Sequence, residues 1–257
     1  MRRFRYLDAL TTAFVVILLV SNLVAQKVIR IPLFSFRGHP LAVTTSGAVL
    51  LFPVTYIFGD IFTEIYGYAA SRRAIWLGFF GTALLYAVSA LVIALPADPA
   101  FKNQAAFVAV FGILPRILIA SLLAFWAGEF ANSYTMARLK LITNGRFLWT
   151  RTVGSTVVGQ LVDTTLVIFI TFGGVYPIPT LLNIIWQGYI LKVVYEVLAT
   201  PITYLVVNGL KRAEGVDTFD THTNFNPFRF GASPEPIEQP PLGPEGINAP
   251  AIELTRE

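Results

Sequence analysis

Apolar residues along this chain fall into six long runs, and the few polar residues inside those runs recur at helical spacing. The first run, Leu7 to about Val28, is long enough for a spanning helix of about 20 residues. It is also too long, and too lacking in a small-residue cleavage site, to be a removable signal. Ile29 to Val43 holds two prolines and alternating apolar positions, which predicts an external loop or short hairpin. Further spans are predicted at about Thr44 to Gly67, at Ala74 to Leu95 ending in the turn PADP, and at about Gly112 to Ala137. The last two run from Val153 to Phe172 and from Ile184 to Leu210, with Thr200-Pro201 as a kink. Between the third and fourth spans, Phe101, Ala105, Val108 and Phe111 repeat at helical spacing beside Lys102, Asn103 and Gln104, the pattern of an interfacial helix. Hydrophobicity is lost beyond Glu214, so the chain divides into a six-helix transmembrane domain, residues 1–213, and a tail, residues 214–257. Gly231 to Glu257 is rich in proline and glutamate and is expected to be disordered.

Charge sets the orientation. Arg2, Arg3, Arg5, Arg72, Arg73, Arg138, Lys140, Arg146, Arg151, Lys211 and Arg212 all fall on one side of the six-span layout, against Lys27, Arg30, Arg37, Lys102 and Arg116 on the other. The positive-inside rule then places both termini in the cytoplasm.

Composition narrows the chemistry. With 55% hydrophobic and 13% charged residues, the chain is an integral membrane protein rather than a soluble domain. Its net charge of +4 follows from basic residues at helix ends, so it is not a nucleic-acid footprint. Cysteine is absent and the two histidines are far apart, so neither a disulfide scaffold nor a metal centre is expected. There is no phosphate-cradling GxxxxGK[ST], no HExxH and no GxSxG. No catalytic residue and no cofactor are therefore assigned.

The signal lies in the intramembrane polar residues. Asp60 and Glu64 sit four apart in FPVTYIFGDIFTEIYGY and share a helix face. A carboxylate at the bilayer centre costs about 2.5 to 3.5 kcal/mol on insertion scales, so two on one face call for an interior that solvates them. Asn22 and Gln26 form a similar pair. Glu129, Asn132 and Ser133 form an i, i+3, i+4 set, as do Thr156, Gln160, Asp163 and Thr164, while Lys192 and Glu196 are again four apart. A single set suits a structural hydrogen bond between helices, and Lys192 with Glu196 suits a self-neutralising pair. Several facing sets predict a shared polar cavity. At 1.5 Å per residue, Asp163 and Glu196 fall near mid-membrane, Asn22, Gln26 and Lys192 in the outer half, and Asp60, Glu64 and Glu129 toward the arginine-rich end. The set therefore suits a path as well as a single pocket. Phe52, Tyr56, Phe58, Phe62, Tyr66, Trp186, Tyr189 and Tyr195 are candidates to stack on a ligand, with ordinary lipid or core packing as the alternative for each. Ser155 and Gly159 read as packing positions.

Five blocks, SNLVAQK, FPVTYIFGDIFTEIYGY with Arg72 and Arg73, EFANSYTMARLK, GRFLWTRTVGSTVVGQLVDT and KVVYEVLATPITYLVVNGLKRAEGVDTFD, occur in order. Together they resemble the queuosine precursor transporters, also grouped as vitamin uptake transporters, over about Arg5 to Phe228. The resemblance implies an all-α bundle of six transmembrane helices similar to the substrate-binding subunits of energy-coupling-factor transporters. It also implies a bacterial inner-membrane importer of cyano-deazaguanine, with aminomethyl-deazaguanine as a second substrate, serving tRNA modification. A subunit that needs a separate ATPase module, an importer of another heterocycle or vitamin, and a membrane enzyme remain alternatives, and self-association is left open. The expected substrate-binding residues are Asn22, Gln26, Tyr56, Asp60, Glu64, Glu129, Gln160, Asp163, Lys192 and Glu196. Carboxylates and amides match the donors and acceptors of a guanine-like edge.

Overall fold

A computed structural model describes residues 4–25, 27–36, 39–112, 115–221 and 223–229. Helix α1 (Leu7–Val24) leads into a hairpin of β1 (Val28–Phe36) and β2 (His39–Ser46), paired antiparallel with a register shift between Pro32 and Phe34. Proline cannot donate to the ladder, which accounts for an irregularity beside it. The hairpin realises one of the two forms expected for this segment. Its base is tied to the end of α1 by the bond from Gly47 N to Lys27 O. Gly47 is needed there, because a Cβ would meet the Val24 carbonyl oxygen at 2.6 Å.

The expected second span differs from a plain helix. A 3-10 turn, Gly47–Leu50, is followed by α2 (Phe52–Ile61) and a π-helical turn, Phe62–Tyr66. At helical rise, Phe52 to Tyr66 covers roughly 20 Å, short of a hydrocarbon core of about 30 Å. Gly67 then reverses the chain at φ 81° and ψ 172°, a conformation open essentially to glycine alone.

Among the described residues, five helical segments are long and apolar enough to cross a membrane. They are α1, α3 (Tyr68–Ala94), the stretch containing α5 (Pro115–Ile142), α6 (Leu148–Phe172) and α7 (Ile178–Glu214). The short α4 (Gln104–Phe111) has no buried residue, in keeping with the interfacial pattern. Helix α7 runs through Pro201 without a break and closes on Gly215 in the left-handed region, with Gly215 N bonded to Lys211 O.

Leu84, Leu91, Leu198 and Leu205 are exposed, whereas Glu64, Lys140, Arg151 and Glu196 are buried. That inversion of the soluble pattern is the expected arrangement where lipid is the solvent. An apolar core lies between α1 and the α2 segment, where Phe14 packs edge-on against Phe62 at 5.6 Å and leans on Phe58.

The chain after α7 is laid along one end of the bundle. Thr218 N bonds Ile65 O, and both Asp220 carboxylate oxygens accept from Tyr68 N at 3.1 and 3.0 Å, capping α3 from a distant part of the chain. Burial pushes the Asp220 carboxyl above the usual aspartate range, while bonds from Thr223 and Tyr68 N pull it back. Arg72 donates to the carbonyls of Asn224 and Asn226, and Trp76 to that of Pro227. Of the expected tail, Glu214 ends α7, the described residues 216–221 and 223–229 form a strap on the helices, and the proline-rich part lies outside the described residues.

Candidate functional site

Three glycines set the geometry. A Cβ on Gly128 would meet the Asp163 Cβ at 2.7 Å and the Gly159 carbonyl at 3.1 Å; one on Gly159 would meet the Asn132 Cβ at 2.7 Å and the Gly128 carbonyl at 3.0 Å. Helices α5 and α6 therefore touch backbone to backbone and form the most extensive helix pair of the bundle. The reading of Gly159 as a packing position holds, and Gly128 is its partner. On α2, a Cβ at Gly59 would come within 3.2 Å of Glu129 Oε2 and 3.7 Å of Asn132 Nδ2, so its absence lets α5 side chains reach α2.

Each glycine immediately precedes a polar residue: Gly59-Asp60, Gly128-Glu129 and Gly159-Gln160. Close approach of the backbones therefore brings these polar side chains together. Asp60 hydrogen-bonds Asn132 and has Glu196 and Glu129 as its first charged neighbours. Glu129 in turn faces Asp163 and Glu196. Tyr56 hydrogen-bonds Gln160 and lies near Asp163, Glu129 and Glu196. Lys192 Nζ reaches across from α7 to Asp163 Oδ2 at 2.6 Å and to Thr164 Oγ1 at 3.2 Å. One polar centre thus gathers Tyr56, Asp60, Glu129, Gln160, Asp163, Lys192 and Glu196, together with Asn132, from α2, α5, α6 and α7. The intrahelical alternative for Lys192 is overturned: its partner is Asp163, which leaves Glu196 turned toward Asp60.

Several acceptors in this centre receive no hydrogen bond from the described residues: Asp60 Oδ2, Asn132 Oδ1, Gln160 Oε1 and both Glu196 oxygens. Asp60, Gln160 and Glu196 are 1%, 7% and 0% exposed. Buried acceptors of this kind are ordinarily satisfied, so the centre carries spare capacity for donors.

Glu64 belongs to a second cluster. Its carboxylate accepts from Arg151 through two nitrogens at 3.0 and 2.7 Å and from Lys211 at 2.6 Å, with Lys140 Nζ 3.5 Å away. Asp217, on the strap, takes bonds from Lys140 at 2.6 Å and Lys211 at 2.8 Å. Three cations and two carboxylates thus lock the π-helical turn, α5, α6, α7 and the strap together at the basic end. The π turn explains why Asp60 and Glu64 diverge: its wider i to i+5 winding begins at Phe62, between them, and breaks the shared face that a regular helix gives to residues four apart.

Asn22 lies apart from both clusters, with its amide bonded to the Leu18 carbonyl of its own helix. Gln26 lies outside the described residues. Among the aromatic candidates, Tyr56 alone joins the centre. Phe58 and Phe62 pack in the core, Tyr66 donates to Glu214 at 2.8 Å, and Trp186 and Tyr195 are exposed. The side chain of Phe52 lies outside the described residues. A surface groove of about 340 Å³ between α1, α3 and α4 is lined by Leu19, Leu85, Val88 and Phe111, among others, and shares no residue with the polar centre.

A family model described as "Putative vitamin uptake transporter" matches residues 46–206. The chain belongs to the vitamin uptake transporter family. The matched stretch contains every residue of the polar centre and ends before Lys211, Asp217 and the strap. The Bacillus subtilis (strain 168) protein named "Probable queuosine precursor transporter" is 32% identical over 156 residues, covering 60% of this chain and 68% of that relative. No solved structure matches the chain significantly. As a vitamin uptake transporter, the protein is a multi-pass membrane protein that carries a small, vitamin-like molecule.

Proposed function

We propose that the protein is a stand-alone importer of queuosine precursors, chiefly cyano-deazaguanine, in a bacterial inner membrane with both termini cytoplasmic. The observation that carries this reading is the convergence of seven of the ten expected residues on one buried centre with unfilled acceptors. A guanine-like edge presents a row of N–H donors beside a carbonyl acceptor. Gln160 Oε1, Asn132 Oδ1 and the Glu129 carboxylate accept from such donors, while the Gln160 and Asn132 amides answer the carbonyl. Tyr56 offers a ring to stack on the base, and Lys192 offers a donor toward the cyano nitrogen. The name of the Bacillus subtilis relative supports the same substrate class. Cytoplasmic termini are supported by the surplus of Lys and Arg at the end where Arg5 N and Tyr6 N meet Glu214.

The test is uptake of labelled cyano-deazaguanine into proteoliposomes containing only this chain. Saturable uptake absent from empty vesicles supports the reading. Uptake that appears only with an added ATPase module would make the chain a binding subunit instead, and binding of an unrelated heterocycle in place of the deazaguanine would overturn the substrate.

A further inference from the structure

Asp60 and Glu196 face each other from α2 and α7 within the polar centre. Their carboxyls lie within hydrogen-bonding reach, both residues are fully buried, and neither Glu196 oxygen nor Asp60 Oδ2 receives a bond from an N–H or O–H group. Among the described residues, no cation pairs with either carboxylate. Lys192, one turn away on α7, is held by Asp163, and Lys140, Arg151 and Lys211 converge on Glu64. The other groups near the pair are Tyr56 from α2, Glu129 and Asn132 from α5 and, farther along, Glu64 from the π turn. From α6, Gln160 turns into the same space with its Oε1 unpartnered. Two bare carboxylates in such contact repel, whereas one proton held between them turns the repulsion into a short hydrogen bond and titrates as a property of the pair. Carboxyl groups that face a bundle interior mark proton paths in transporters.

We propose that Asp60 and Glu196 form a single proton-binding site, and that this proton travels with the substrate, so that import is proton symport. The proton enters from the more acidic face, sits between the two carboxyls, and leaves to the opposite face when the bundle reopens there. Its arrival removes one negative charge from the centre, which matches the loaded state to a neutral, donor-rich base. The symport half rests on the importer reading; the proton site itself does not.

Two measurements on the full chain separate these halves. The first needs no substrate: infrared spectroscopy of the purified protein should show a protonated-carboxyl C=O band that vanishes on raising the pH. That band should also be missing in Asp60→Asn and Glu196→Gln and retained in Asp98→Asn, a control in an exposed turn. Because the pH titration is done on the unmodified protein, a variant that fails to fold leaves the test intact. Absence of the band at every pH, or its persistence in folded Asp60→Asn and Glu196→Gln alike, overturns the proton site.

The second measurement uses proteoliposomes and labelled cyano-deazaguanine. Exchange at equal pH tests the substrate reading alone. With exchange established, an acidic exterior should drive accumulation approaching about tenfold per pH unit at equilibrium for one proton per substrate, abolished by a protonophore. Asp60→Asn and Glu196→Gln should lose the response to the gradient. Intact exchange with no response to the gradient in the unmodified protein overturns symport, whereas failure of exchange overturns the substrate and leaves the infrared result to decide the proton site.

Discussion

Among single residues, Glu64 and Asp163 separate two meanings of a buried carboxylate. Glu64 has its oxygens occupied by Arg151 and Lys211, so Glu64→Gln removes the negative partner of buried cations. Breaking one side of a buried ion pair costs about 3 to 5 kcal/mol. The expected outcome is a clear fall in the melting temperature in detergent, with cyano-deazaguanine affinity of the folded fraction unchanged. A tenfold loss of affinity without loss of stability would return Glu64 to the binding site. Asp163 sits one quarter exposed beside Lys192, where solvent screening makes its pair worth far less to stability. Asp163→Asn should therefore leave melting nearly unchanged while weakening binding about tenfold, the scale of one charge-assisted hydrogen bond. Isothermal binding and thermal unfolding on the same preparation decide both cases.

At the scale of elements, the pair α5 and α6 depends on hydrogen atoms where other residues carry carbon. Gly159→Leu places atoms where Asn132 Cβ already stands at 2.7 Å from an ideal Cβ. The helices must then part, which moves Glu129 and Asn132 away from Gln160 and Asp163. We expect joint loss of stability and binding, whereas Gly154→Ala, where a single Leu139 methyl lies at 3.0 Å, should be mild. Equal effects from the two substitutions, read by melting temperature and affinity, would argue against the close crossing. Much of the bundle was legible in the sequence, because apolar runs of span length and polar residues at i, i+3, i+4 carry their own physical reason. Gln160, Asp163, Lys192 and Glu196 were placed on inward faces by spacing alone. What spacing could not carry was the break in winding that begins at Phe62 and turns Glu64 to the cations. Nor could it show which of Asp163 and Glu196 receives Lys192, since that depends on the approach of α6 to α7. The glycine before each of Asp60, Glu129 and Gln160 was a readable signal for the crossing.

For the whole molecule, the residues that open α1 meet the last residue of α7. Arg5 N and Tyr6 N bond the Glu214 carboxylate at 2.9 and 2.8 Å, so the start of α1 and the end of α7 share the basic end, and tags at either terminus should be reached from the same side of the membrane. Reagent access from opposite sides would break this topology. From that end the strap runs on to Arg229, and its bonds are not cosmetic: Asp217 completes the cation cluster, Asp220 caps α3, and backbone carbonyls of the strap receive the buried Arg72 guanidinium.

Two truncations therefore separate at a defined point. Ending the chain after Phe230 removes a proline- and glutamate-rich segment with too few apolar residues to build a core, and should leave folding and uptake nearly intact. Ending it after Gly215 removes Asp217 and Asp220 as well. Lys140 then keeps only the distant Glu64 carboxylate and one backbone carbonyl of that turn, Arg72 loses the carbonyls of Asn224 and Asn226, and the amide at the start of α3 loses its acceptor. Each loss leaves a polar group poorly satisfied, at about 1 to 3 kcal/mol for a neutral group and more for a charged one, so the combined effect should appear as low yield or a sharply reduced melting temperature. Restoring residues 216–229 without the remaining tail should recover both. If the shorter chain instead melts with the longer one, the strap rests on the bundle without supporting it.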